Sequence, residues 1–87
     1  MKIKLKKIDL ENWRFVLYET ENKDWIGSFV YSPVSFVDLS MLIILSPEEK
    51  NKAEIDRTFL IELSENIRNN YKEFLTRSEN KNKFIIE

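Results

Sequence analysis

Residues 13–45 form a run of short β-type segments that are apolar on both alternating faces. Successive side chains of a strand point to opposite sides of its sheet, so a strand apolar at odd and even positions needs cover on both sides. The segments are residues 13–19, 25–32 and 36–45, rich in aromatic and β-branched side chains. Glu21-Asn22-Lys23-Asp24 reads as a hairpin turn between the first two, and Ser32-Pro33 interrupts the pattern before the third. The lone glycine, Gly27, marks a bulge or a crowded crossing with a neighbouring ring. Upstream, Ile3 and Leu5 alternate with Lys2, Lys4 and Lys6 as an amphipathic strand, closed by a polar break at residues 9–12.

Ser46-Pro47-Glu48-Glu49 is a helix start. Ser46 is the N-cap, Pro47 takes the first helical position, and Glu49 completes a capping box. An apolar stripe of Ile55, Phe59, Leu60, Leu63, Ile67, Tyr71, Phe74 and Leu75 carries the helix to about residue 77, with Asn69-Asn70 as its weak point. Such a helix would be roughly 45 Å long against about 27 Å for an eight-residue strand, so it overhangs, bends or splits. The expected fold is therefore α+β, one domain over residues 1–87. A four-stranded antiparallel meander packs on one long C-terminal helix, and residues 78–87 form a tail or a short fifth strand through Phe84-Ile85-Ile86.

One helix covers one face of a sheet. Alternation assigns Ile3, Leu5, Trp13, Phe15, Leu17, Trp25, Phe29, Tyr31, Val37, Leu39, Met41, Ile43 and Leu45 to that face. The other face carries Arg14, Val16, Tyr18, Ile26, Ser28, Val30, Phe36, Asp38, Ser40, Leu42 and Ile44. That mixture of apolar and small polar groups has the composition of an interface. Val16, Tyr18, Ile26, Val30, Ser40, Leu42 and Ile44 are accordingly the candidate surface for a second copy of the chain or for another protein.

The 87 residues contain no His and no Cys. Imidazole acid–base chemistry, thiol chemistry, the usual zinc sites and a disulfide framework are all excluded. A glycine-rich phosphate loop is impossible with one glycine. The acidic residues fall in turns and on the outer helix face, so no catalytic, cofactor or metal residue is assigned and a non-enzyme is expected. The net charge of −1 and the confinement of Lys2, Lys4, Lys6 and Lys7 to one segment disfavour nucleic acid, although lysines beside sheet aromatics keep an RNA-binding sheet as a minor alternative. The opening lacks the apolar run of a secretory signal, and the longest apolar stretch, residues 41–45, is too short for a bilayer. A soluble, cytoplasmic chain is expected.

Asp38 is the one charge between Trp25 and Pro47, and it needs a partner or water. It serves either as an edge-strand guard against aggregation or as a specificity contact. With Glu19, Glu21 and Asp24 it is a candidate for meeting a basic partner surface.

The opening Lys2-Ile3-Lys4-Leu5-Lys6-Lys7-Ile8, and the segment from Phe29-Val30-Tyr31-Ser32-Pro33 through Asp38-Leu39-Ser40, resemble small immunity proteins of bacterial polymorphic toxin systems, including the contact-dependent-inhibition type. The Asn-, Lys- and Ile-rich composition suits an AT-rich bacterial genome. The resemblance implies a protein that binds one cognate toxin, for example a nuclease domain, and blocks it stoichiometrically. It carries over no individual functional residue. The competing expectation is a homodimer through the second sheet face with some other structural or regulatory binding role.

Overall fold

A computed structural model describes residues 2–34 and 37–86. Phe36 and the Val37 side chain, which alternation placed on opposite faces, lie outside what is described. The chain order is β1 (Ile3–Glu11), β2 (Phe15–Glu19), β3 (Trp25–Val34), β4 (Val37–Ile44), α1 (Pro47–Ile55), α2 (Thr58–Asn69), α3 (Tyr71–Phe74), a 3-10 turn (Leu75–Arg77), β5 (Ser78–Glu79), a second 3-10 turn (Lys81–Lys83) and β6 (Phe84–Ile86). The strands form one six-stranded mixed sheet in the order β5-β4-β3-β2-β1-β6. β1 to β5 pair antiparallel, and β6 lies parallel to β1.

This corrects the expected architecture in two respects. The four-stranded meander is the middle of a larger mixed sheet. The single long helix is three short ones, the longest of 12 residues. Asp56 makes the first break: its extended backbone leaves α1, its N–H donates to Lys52 O, and its carboxylate accepts from Thr58 N–H at 3.0 Å. A short side chain that bonds the backbone two residues on competes with helix continuation. The second break is at Asn70, whose side-chain amide donates to Asn66 Oδ1 at 2.8 Å. The broken layer can fold over a sheet that a straight 45 Å rod would overrun. One consequence is that Ile55, expected in the apolar stripe, is 87% exposed.

The sheet curls because its two edges are close in sequence. A flat sheet of six strands separates its edge strands by about 24 Å. The chain from Glu79 on β5 to Phe84 on β6 spans about 17 Å at full extension, and residues 81–83 are wound into a 3-10 turn. The edges must therefore approach each other, and the sheet encloses its second face.

Each face has its own core. The first packs Phe15, Leu17, Phe29, Tyr31, Met41, Ile43 and Leu45 against Ala53, Leu60, Leu63 and Ile67 of the helices. Phe15 and Phe29 meet at 6.1 Å, and Tyr31 stacks on Tyr71 at 5.2 Å. Gly27 lies under the Phe29 ring, where a Cβ would overlap ring carbons. The second core is Leu5, Tyr18, Ile26, Leu42 and Phe84, with Val16 beside it.

Leu5 is on the face opposite to the one alternation assigned. The register of β1 against β2 slips between Lys7↔Tyr18 and Asp9↔Leu17, making Ile8 an extra residue. A bulge of one residue inverts the facing of everything beyond it. Asp9 and Glu11 then share the helix side with Leu17 and Phe15, and Leu5 turns to the second face. Ile3, Trp13 and Leu39, expected in the core, are exposed.

Two arginines tie the helices to the sheet. Arg57 bonds Asp9 at 2.7 and 3.1 Å, Leu10 O at 3.0 Å and Glu11 at 3.0 Å, with its guanidinium 5.6 Å from the Phe15 ring. Arg77 bonds Glu49 at 2.6 Å and donates to Ile44 O at 3.3 Å. Glu49 also accepts from Ser46 N–H at 2.9 Å, while Ser46 Oγ accepts from Glu49 N–H at 3.2 Å, so the capping box is formed.

Two outcomes follow. Leu42 is 3% exposed inside the second core. Leu42→Glu loses its packing and buries a carboxylate, costing more than about 4 kcal/mol, a large part of the stability of a domain this size. Urea titration followed by circular dichroism should find it unfolded or nearly so; an unchanged midpoint would mean that Leu42 faces solvent. The second outcome concerns acid. Burial would raise the Glu49 carboxyl, but its bonds to Arg77 and Ser46 outweigh that and hold it below the ordinary value near 4.5. The stabilisation is present above that value and is lost as pH falls through the lower folded one. Glu49→Gln should flatten the loss of thermal midpoint below about pH 4.5; an unaltered acid slope would contradict the assignment.

Candidate partner-binding site

The four candidate acids do not share a surface. Glu19, Glu21 and Asp24 lie at the β2–β3 turn, and Asp38 lies at the other end of β3, beside the Val34↔Val37 pair. About seven strand residues, or more than 20 Å, separate the two groups. Glu19 is engaged within the chain: it accepts from Trp25 Nε1 at 3.1 Å and pairs with Lys23 at 3.6 Å. The Trp25 bond is the main cause that holds its carboxyl below the usual range. Glu21 and Asp24 are exposed, but they border a hollow of about 500 Å³ that Lys2 and Lys4 also line, so the local charge is mixed. Asp38 is exposed and accepts from Ser32 Oγ at 2.6 Å.

The candidate apolar face divides. Tyr18, Ile26 and Leu42 are buried under Leu5 and Phe84 of the same chain. Val16, Val30 and Ser40 are half-buried, Ser40 accepting from Lys81 Nζ at 2.8 Å, and Ile44 is exposed. The centre of that face is thus occupied by the chain's own ends.

Asp9 and Glu11 are two acids that share one partner. Both are clamped to Arg57, and the Arg57 bonds lower the Asp9 carboxyl further, so it is held as a carboxylate and is a poor proton donor. No helix among the described residues is long and apolar enough to cross a membrane.

A different site emerges at the β1–β2 turn. β2 begins at Phe15, so residues 12–14 form the turn, held by Arg14 N–H donating to Glu11 O at 3.1 Å. Trp13 sits there at φ 65° and is 81% exposed. A bulky residue in the left-handed region is strained by about 1–3 kcal/mol, and such residues concentrate at functional sites. Trp13 lines a cleft of about 250 Å³ with Arg14, Val30, Ser64, Glu65, Arg68 and Asn69, between the turn and α2. Arg14 bonds Glu65 across it at 3.0 Å. Among the described residues Arg14, Arg57 and Arg77 all make ion pairs, and Arg68 makes none.

Alternation missed Trp13 because it placed the break at residues 9–12, whereas β1 runs on to Glu11 and the turn is residues 12–14. The later turn, at Asn12-Trp13-Arg14, takes the indole out of the core. Arg68 carried no signal in the sequence: Ser64 and Lys72 at i±4 supply no acid, but Glu65 at i−3 does, and only the structure gives Glu65 to Arg14.

Comparison with protein families, with curated proteins and with solved structures finds no match for this chain. The site must be read from its own chemistry.

If Trp13 is retained for contact and not for folding, its removal should be harmless to the fold. Trp13→Asn, which tolerates the left-handed region, should leave the thermal midpoint unchanged or raise stability by up to about 1 kcal/mol. A clear loss of stability in a denaturation curve would return Trp13 to a structural role.

Proposed function

We propose that this chain is a non-catalytic protein-binding protein that docks through Trp13 and the cleft beside it. The observation that carries this reading is the exposed indole on a strained backbone. Exposure of so large an apolar ring gains nothing for a lone domain, whereas tryptophan and arginine are the residues most enriched where protein interfaces concentrate their energy. Arg14, Arg68 and Asn69 supply polar contacts at its rim.

The proposed partner is a bacterial toxin domain, bound and blocked stoichiometrically. That part of the proposal rests on the resemblance of the β1 and β3–β4 segments to immunity proteins. The acids first considered for a basic toxin are dispersed or internally bonded, so the docking role passes from Glu19, Glu21, Asp24 and Asp38 to Trp13 and its neighbours. A homodimer through the second face would have to form without Tyr18, Ile26 and Leu42, which the inner core engages.

The test is co-expression with the C-terminal domain of a large secreted protein encoded by the adjacent gene. Growth should be rescued and a stable one-to-one complex should purify. Trp13→Ala should abolish both without lowering the thermal midpoint. Failure of rescue together with failure of complex formation would sink the toxin reading, and a complex indifferent to Trp13→Ala would move the docking surface elsewhere.

A further inference from the structure

β3 has ten residues, and β2 pairs only with its first five, Trp25–Phe29. Beyond Phe29 that edge of β3 has no neighbouring strand among the described residues. Backbone groups alternate between the two edges of a strand. Trp25 O accepts from Leu45 N–H on the β4 side, and Val30 N–H donates to Arg14 O at 3.0 Å on the β2 side. Counted from Val30, the next residue directed to the open edge is Ser32. The ladder gains one residue between Tyr31 and Val34, so counted back from the Val34↔Val37 pair it is Pro33, which lacks an N–H, that meets the open edge. The open edge begins beside Val30, which also lines the Trp13 cleft.

We infer that the partner contributes an extended acidic segment, which adds to β3 along residues 30–34 and sets a carboxylate on Arg68. The inference rests on the reading of the Trp13 cleft as the docking site and names what enters it. Strand addition gives affinity through main-chain bonds and specificity through alternate side chains. Arg68 is the one arginine without an ion pair among the described residues, so it offers a guanidinium free for a carboxylate. Trp13 covers an apolar side chain of the same segment. Nucleic acid fits less well, because a strand-tracking groove needs a run of cations and here Glu65 stands in the cleft and neutralises Arg14. The volume of about 250 Å³ is also below that of a usual small-molecule pocket.

The test is selection of phage-displayed random 12-residue peptides on the immobilised protein, followed by calorimetry of a synthetic representative. The selected peptides should combine Asp or Glu with alternating apolar or aromatic residues. Arg68→Glu and Trp13→Ala should each weaken the peptide about tenfold or more, Glu21→Gln at the far β2–β3 turn should leave it unchanged, and the Ser32 amide should exchange more slowly in the complex. Basic or helical selected peptides, no selected peptides, or an affinity indifferent to Arg68→Glu would overturn the inference. So would an Arg68-dependent complex with oligothymidylate in the same cleft. A toxin complex that depends on Trp13 but not on Arg68 would remove this inference and keep the proposed function. Acid-selective peptides without any toxin complex would do the reverse.

Discussion

Residues 80–83 carry the chain from one edge of the sheet to the other, and the rest of the molecule accommodates that short bridge. β5 lies beside β4 and β6 beside β1, at opposite ends of the strand order. So short a connection requires the sheet to curl until its edges nearly meet. Curling gives the second face an interior, and Phe84 of β6 fills it together with Leu5. Leu5 reaches that interior because the extra residue at Ile8 inverts the facing of the first half of β1. Bulge, curl and strap therefore act together: without the bulge Leu5 would face the helices, and the second core would lose its centre.

The opposite face is covered by a helical layer that had to be broken to fit. Asp56 and Asn70 provide the breaks, and Arg57 and Arg77 hold the pieces to β1, α1 and the end of β4. Both arginine clusters are partly exposed, where single ion pairs stabilise little; their geometry matters more, since each guanidinium bonds two or more groups at once. A chain this short has a marginal core. Here it is divided between two faces, and the rim contacts set where the helices lie.

The candidate binding site is a by-product of unequal strand lengths. β2 stops after five residues while β3 continues for ten. That mismatch creates the gap beside β3, the tight turn that exposes Trp13, and the cleft bounded by α2. The site holds one indole, two guanidiniums and a strand edge, the groups on which the proposed recognition of another chain rests. None of this was visible as a motif. Trp13 has the parity of Phe15 and Leu17, and parity alone puts all three in the core.

Much of the local structure was legible in the sequence. The strands around Phe15, Phe29 and Met41, the Gly27 crossing under a ring, the Ser46 capping box and the weak point at Asn69-Asn70 all follow from period-two alternation, cap chemistry and turn residues. The division of those central strands into a face with Phe29 and a face with Ile26 was also readable, because both faces are set by neighbours one and two residues away. The sequence alone thus determined the central strands, the helix start at Ser46 and the doubly apolar sheet, but neither the division of the helical layer into three nor the six-stranded mixed sheet. Only the tertiary structure decided what covers the second face. A single inserted residue at Ile8 leaves no compositional mark, yet it inverts a strand. The pairing of β5 and β6 with distant strands is likewise a contest among whole-chain arrangements, which no local pattern can resolve.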